Sequence, residues 1–490
     1  MSGPACELPD GRSLGRFTVA AVALGLMVLG LVAASARAST LRVTVDPARA
    51  GAVIAPRAVG LSFEALDLPQ IARGADRGTL TALLSSLRPG VLRFGGASVD
   101  GETTYSPAGI PDPEAATTIV PADLDRLAGL ARRTGWRVLL AVDLGRFDPS
   151  SAAAEAADAA RRLGDDLAGI EIGNEPNAFA IGGVRGADWS YLAYRDQVRA
   201  YRRAIAAAAP GVPIVGPDTV TAGDVDWLRA YAHDERPALL TPHFYPLHRC
   251  NGAMPTIADL LGAPVAEGTR RTFAAIAAVG RAAGITVRLG ETNNIGCRGL
   301  DGVSNTFAAS LWAVRYQLAA ARAGLAGATF HTLPECAGYS PICGATRADF
   351  EAGLLQAMPE WYALLLFDRL EGDRFVHARV GPHPASLTVD ALERPAGRGL
   401  DVVAVNAGAR AVRLSIGVRS GSGTLGVGRL LALTAPALDA RSGVRFAGAA
   451  VRPSGAWAPH RAQRRRPARD GRLRVLVPAA SAVLVRAPVP

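Results

Sequence analysis

Short apolar runs, each closing on a polar tip and followed by an alanine-rich stretch, recur between residues 58 and 372. The runs have the length and the Val/Ile/Leu content of strands buried on both faces. The stretches between them carry apolar residues at helical spacing. The pattern predicts strands at Ala58–Glu64, Val91–Gly96, Arg137–Leu144, Gly169–Gly173, Val212–Gly216, Leu239–Tyr245, Thr286–Gly290 and Gly327–His331. It predicts helices at Leu80–Leu87, Asp123–Thr134, Ala152–Leu163, Trp189–Ala208, Thr269–Ala283 and Thr306–Ala323, with a last helix near Pro359–Leu370. Eight strand–helix repeats imply a closed (β/α)8 TIM barrel, whose functional residues gather at the C-terminal strand ends. A doubly wound open sheet is the competing α/β architecture, but no GxGxxG turn follows an early strand.

From Phe375 the rhythm changes to strands punctuated by turn residues: Leu400–Asn406, Ala411–Val418, Leu430–Leu433, Leu473–Val477 and Ser481–Arg486. These read as a C-terminal antiparallel β-sandwich. Leu41–Val45 alternates, ends at Asp46-Pro47 and precedes the repeats, so it is expected to join that sandwich. The expected organisation is a leader over 1–38, a linking strand over 39–57, the barrel over 58–372 and the sandwich over 373–490.

The leader combines basic Arg12 and Arg16, an apolar Phe17–Ala34 and a small-x-small Ala36-Arg37-Ala38 site, which reads as a secretory signal. Its apolar run is near the lower limit for a membrane span, so a membrane enters only if it stays uncleaved. Cys6 precedes the apolar run, where a lipoprotein cysteine would follow it. Export leaves Cys250, Cys297, Cys336 and Cys343, an even set in an oxidising compartment. Three connectivities are open, the preferred one joining Cys336 to Cys343 and Cys250 to Cys297. No CxxC or HxxxH spacing favours a zinc site instead.

The 490-residue chain is 20% charged with a net charge of +10, and all 53 of its basic side chains are arginine. An all-arginine set beside abundant Ala and Gly reads as nucleotide-composition bias, so the charge says little about a polyanionic partner. The densest basic stretch, His460 to Arg472, is expected to be a solvated loop, since no aromatic side chains interleave it. No nucleic-acid partner is expected, and oligomeric state is not legible.

Candidate chemistry sits at two strand tips. Gly169-Ile170-Glu171-Ile172-Gly173-Asn174-Glu175-Pro176-Asn177 is an apolar run that stops on Asn-Glu-Pro. Val287-Arg288-Leu289-Gly290-Glu291-Thr292-Asn293-Asn294 repeats the arrangement three strand–helix units later. A carboxyl at a buried strand tip is half desolvated, which favours its protonated form and suits it to general-acid work. Two carboxylates on separate tips of one barrel are the apparatus of glycoside hydrolysis, with a separation of about 5–5.5 Å in retaining enzymes. His243 is expected to be a hydrogen-bonded core histidine, and Trp136, Trp189 and Trp312 to be packing residues.

IEIGNEPN, RLGETNN, VLRFGG, HFYPL, GVSNTFAASLWAVRY and MPEWYALLLF together resemble the heparanase-like β-glucuronidases, glycoside hydrolase family 79, from about Leu41 to the C-terminus. The resemblance implies a retaining hydrolase of β-linked glucuronides that uses no metal or cofactor and binds a carbohydrate. It implies that Glu175 is the acid/base and Glu291 the nucleophile, with Asn174 on the sugar 2-hydroxyl and Tyr245 orienting the nucleophile. Tyr339 falls where the family contacts the glucuronate carboxylate, and Glu64 where an acid accepts from the far hydroxyls. The chain departs from the family after Glu291. Some members place a Tyr-Gly-Gly turn there, whereas this sequence reads Ile295-Gly296-Cys297-Arg298-Gly299. Gly296 and Cys297 are expected to shape an amide nest, with Arg298 as a cationic contact. A same-barrel enzyme for a neutral glucoside or xyloside, and a catalytically dead carbohydrate-binding protein, are the competing readings.

Overall fold

The computed structural model describes residues 40–221, 225–419, 423–460 and 462–489; the leader over 1–38 lies outside them. Six parallel strands form one sheet in the order Leu167–Ile172, Arg137–Val142, Val91–Gly95, Val59–Glu64, Ala328–His331, Leu289–Thr292. The two remaining expected strands, 212–216 and 239–245, are not regular ladders. They join the edges of the sheet through single parallel bridges: Ile170 to Ile214, Gly216 to Leu240, Leu240 to Val287 and Phe244 to Thr292. Prolines at 213, 217, 242 and 246 explain the difference, because each removes an N–H that a ladder needs.

The helices between these strands start and stop where local chemistry dictates. Pro121–Thr134 begins with proline, is capped by Asp123 reaching back to the Val120 N–H at 3.2 Å, and ends on Gly135 at φ +70°. Pro149–Leu163 is capped by Asp148, which accepts from the amides of Ser150 and Ser151. Phe307–Ala323 is buried on almost every side because it lies between neighbouring helices and the second sheet. That burial accounts for its near-continuous apolar sequence. Among the described residues no helix is long and apolar enough to cross a membrane.

The second sheet has ten strands and is antiparallel except where Thr40–Val53 runs parallel to Val412–Val418. Thr40–Val53 also pairs with Arg374–Val380, so the start of the described chain lies inside this sheet. Arg374–Val380 and Leu387–Glu393 are strands the apolar pattern did not single out; both are half-buried and mixed in polarity. The sheet curls, bringing Leu473 near one edge against Gly428 near the other, where an added Cβ would meet the Leu473 side chain at 2.8 Å. Val402 and Ala404 face the core inside this curl, while Val403 and Val405 face the helices of the parallel sheet. A strand buried on both sides has no polar alternation, and Leu400–Asn406 has none.

The basic stretch after His460 is largely exposed, as expected of a solvated loop, but departs from it at two places. It contains a short strand, Gln463–Arg465, and Arg472 is buried with its guanidinium on the carbonyls of Val43 and Ser415. Disulfides join Cys250 to Cys297 and Cys336 to Cys343.

Truncating Leu473 to alanine removes a side chain that bridges the curl. Leu473→Ala should cost about 2–5 kcal/mol in urea unfolding. A loss below about 1 kcal/mol would show that the sheet is open at that point.

Candidate active site

Charged side chains inside apolar strands build the site from beneath. Arg93, in Val91-Leu92-Arg93-Phe94, is completely buried and donates at every nitrogen. Its Nε binds Glu171 Oε2 at 2.7 Å, and Nη1 binds Ser62 Oγ at 3.1 Å and Glu291 Oε2 at 2.8 Å. Its Nη2 reaches Asn174 Oδ1 at 3.0 Å and Asp218 Oδ2 at 3.4 Å. Unpaired burial of such a cation would cost several kcal/mol, so its partners must also lie at the strand ends. Glu171 and Asp218 share the Arg93 guanidinium, and burial disfavours two charges there. Burial pushes Glu171 up to about 8; it would raise Asp218 too, but Arg93 and His243 hold Asp218 low.

Glu291 is 7% exposed at the tip of its strand. Besides Arg93 on Oε2, its Oε1 accepts the Tyr245 hydroxyl at 2.7 Å, and His331 Nδ1 stands 3.4 Å from Oε2. Burial would raise this carboxyl, yet His331, His243, Arg93 and the Tyr245 hydroxyl outweigh it and pull it to about 2. Glu291 is therefore a carboxylate at neutral pH. Burial pushes the Tyr245 phenol well up, so it stays a donor.

Glu175 stands across the pit with its side chain 28% exposed, more open to solvent than a strand tip buried on both faces implies. Its backbone is left-handed at φ +51°, after Gly173 at φ +74° turns the chain off the strand. The Glu175 amide donates to the Asp218 carbonyl at 2.9 Å, and Trp189 Nε1 holds the Pro176 carbonyl at 2.8 Å. Trp189 thus packs, as expected, and also braces this turn. His243 Nδ1 lies 3.2 Å from Glu175 Oε1, and its Nε2 lies 3.7 Å from Asp218 Oδ1. Burial and Arg93 would lower this imidazole, but Asp218, Glu175 and Glu291 lift it to about 9. The expected core histidine is hydrogen-bonded, and its partner is Glu175 itself.

One oxygen each of Glu175 and Glu291 and a ring nitrogen of His243 all lie within 4.8 Å of one another. Distance alone would allow a cation there. The donor set argues otherwise: both Glu291 oxygens already accept hydrogen bonds, one from a guanidinium that would repel a metal, and His243 favours its protonated form.

The other expected residues fall into two groups. Asn174, Tyr245, Tyr339 and Glu64 come to the pit. Asn174 is buried and fixed by Arg93, and its amide donates to Asp100 Oδ2 at 2.7 Å. Tyr339 stands 3.4 Å from the Tyr245 hydroxyl and meets the His331 ring edge-on. Glu64 Oε2 accepts from the Ser98 amide and hydroxyl, and its Oε1 faces His331 Nε2 at 3.3 Å. Gly96, at φ +73°, makes room for that carboxylate, which a Cβ would meet at 2.4 Å. Gly296, Cys297 and Arg298 form a turn beside these residues. Cys297 and Arg298 are exposed and left-handed, pinned by the bond to Cys250. Among the described residues the Arg298 side chain makes no ion pair, and the Gly299 amide is taken by Ile295 at 3.1 Å. Asn293 and Asn294 hold the local backbone: Asn293 donates to the His331 carbonyl and Asn294 to that of Ser304.

The chain's pattern did not single out Arg93, Glu171, Asp218, His331 or Ser98. For Arg93 and Glu171 a signal existed: a lone charge inside a run buried on both faces must have a charged partner across the sheet.

No protein-family model matches the sequence, and no curated protein matches it. Among solved structures, the chain is similar to a 4-O-α-L-rhamnosyl-β-D-glucuronidase from Fusarium oxysporum 12S in complex with Rha-GlcA. That similarity has a TM-score of 0.72 and 20% identity over 91% of this chain and 100% of that one. It is also similar to a family 51 arabinofuranosidase from Xanthomonas axonopodis pv. citri (TM-score 0.64, 13% identity, 91% of this chain and 99% of that one). A third is a family 44 endoglucanase from Clostridium acetobutylium ATCC 824 (TM-score 0.61, 12% identity, 92% of this chain and 100% of that one). At these identities the likeness is one of fold: an α/β chain pairing a parallel half-barrel sheet with a large antiparallel sheet.

Two outcomes test the site. Arg93→Lys keeps one charge but cannot fork to five acceptors, and should cost about 3–5 kcal/mol in denaturant unfolding. Glu291 has a depressed pKa in the folded state, so its stabilisation is complete above its ordinary value of 4.5 and is lost as pH falls toward about 2. The stability gap between wild type and Glu291→Gln should therefore narrow below about pH 4.5; a constant gap from pH 6 to about pH 3 would contradict the assignment.

Proposed function

We propose that the chain is a secreted retaining glycoside hydrolase that cleaves β-linked glucuronides through Glu175 and Glu291. The observation that carries the reading is the carboxylate pair itself. Its nearest oxygens lie within 4.8 Å, which supports a retaining pair, whose carboxyl groups stand about 5–5.5 Å apart. The environments of the two are also unequal, with one carboxylate locked in its charged form by Arg93 and Tyr245 and the other open to solvent beside His243.

In this reading Glu291 attacks the anomeric carbon while Glu175 passes a proton to the departing glycosidic oxygen. The bond formed is an ester between Glu291 and the sugar, and the leaving group departs as an alcohol. Ester formation removes the negative charge of Glu291, and Glu175, now a carboxylate, takes a proton from the water that releases the sugar. Asn174, held by Arg93, contacts the 2-hydroxyl, and Glu64 accepts from the far hydroxyls. The wider architecture is read as a (β/α)8 barrel over 58–372, which the single bridges through Ile214 and Leu240 support, with a sandwich over 373–490 that the strand from 39–57 completes. The two disulfides support the reading of 1–38 as a secretory leader.

The glucuronidase named among the similar structures supports uronate specificity. The charges in the pit favour a second reading, a neutral sugar. Glu64, Glu175 and Glu291 line it, and Arg93, His243 and His331 are engaged by carboxylates. A uronate would rely on Tyr339, the amides of Cys297 and Arg298, and the Arg298 guanidinium.

Hydrolysis of 4-nitrophenyl β-D-glucuronide beside the matching glucoside decides between the two. The expected result is preference for the glucuronide, with Arg298→Ala raising KM for it and sparing the glucoside. Glucoside preference would move the specificity and leave the pair in place. In either case Glu291→Gln should lower kcat by at least about 10³ without unfolding the protein; near-normal turnover in that variant would overturn the mechanism.

A further inference from the structure

At the opposite end of the parallel strands from the pit, four arginines meet where the last helix reaches the antiparallel sheet. Arg369 follows the helix Pro359–Asp368, and its guanidinium lies toward the Ser86 carbonyl, in the loop that leads into Val91–Gly95. On the sheet, Arg429 sits directly opposite Arg464 on one side and Arg486 on the other. Residues directly opposite in antiparallel strands project to the same face, and like charges so placed are destabilising.

Among the described residues only Asp401 makes an ion pair with this row. Asp401, opposite Arg486, accepts from its Nε at 2.9 Å and its Nη2 at 2.7 Å. Among the described residues Arg369, Arg429 and Arg464 make no ion pair. Arg369 is instead held 5.1 Å over the ring of Trp457, which stacks on Phe446. Burial, Arg88 and Arg486 draw its pKa down, against the pull of Asp368. Arg369, Arg429, Arg486, Trp457 and His460 line a cavity of about 240 Å³ that has no acidic side chain in its wall.

We propose that this cavity is an oxyanion-binding site for a sulfate or phosphate group, free or esterified on a glycan. Two uncompensated guanidiniums in its wall and Arg464 beside them offer the forked, charge-assisted donors that such groups take. The aromatic pair holds Arg369 in place and leaves the polar contacts to the arginines. The volume is below the about 300–1,000 Å³ of pockets that enclose a whole drug-sized ligand, so one charged group fits and a chain does not. The site is independent of the carboxylate pair and of its assigned chemistry.

The test uses the full chain at low ionic strength, with sodium sulfate compared against sodium chloride at matched ionic strength. Calorimetry should show one sulfate per chain, and sulfate should raise Tm by several degrees where chloride does not. Arg429→Gln should raise Tm without anion, by relieving the like-charge row, and weaken sulfate binding at least about tenfold. Arg464→Gln should weaken it too. Glucose 6-sulfate binding more tightly than inorganic sulfate would assign the site to a glycan ester; equal affinities would assign it to the free ion. Sulfate acting no differently from chloride, or wild-type sulfate affinity in both variants, would overturn the proposal.

Discussion

The site depends on one buried charge. Arg93 has no access to water, so its cost is met only if every donor finds an acceptor inside the protein. Those acceptors come from five different places: Ser62, Glu171, Asn174, Asp218 and Glu291. A cation that needs all of them at fixed distances ties the first, second, fourth and seventh parallel segments to one another, and the fifth with them. The weak regular pairing around 212–216 and 239–245 is tolerable for this reason. Single bridges hold the backbone there, while Asp218 and His243 are held by charge.

The same constraint makes the two candidate carboxylates unlike each other. Glu291 is joined to Arg93 and so belongs to the buried network, whereas the Glu175 carboxylate meets it through His243. His243 and His331 both favour their charged forms because acids surround them, and each faces one oxygen of the pair. The pit is a set of alternating charges, Glu64, His331, Glu291, Arg93, Asp218, His243 and Glu175. Moving any member changes the charge state of its neighbours. Residues that act as such a unit are not additive on mutation.

Much of this was legible before any coordinate. Repeated apolar runs marked the parallel segments, and the two strand-tip motifs marked Glu175 and Glu291, because burial and a polar stop leave a strong local signature. What escaped had a different physical origin. Arg374–Val380 and Leu387–Glu393 are half-buried strands whose mixed polarity resembles a loop. Asp218 and His331 gain meaning only from partners far away in sequence, which no local pattern encodes. Glu175 is more open than its strand-tip position implied, because its left-handed backbone turns the side chain away from the packed core.

An all-arginine cation set also changes what a buried arginine means. On the surface the choice of arginine over lysine carries no information in this chain, since no alternative is used. In the interior the residue's geometry decides which positions hold it. Arg288 is buried with carbonyl partners only, those of Arg57, Ala58 and Ala328, and burial lowers it to about 9. Arg472 likewise rests on carbonyls, which cap the charge without cancelling it. Arg93 and Arg486 are different, for Arg93 has carboxylates on its fork and Arg486 has Asp401, beside the Arg369 carbonyl. The arginines that fix acidic side chains are thus separated from those that close carbonyl-rich strand ends by partner and burial, and composition alone could not separate them.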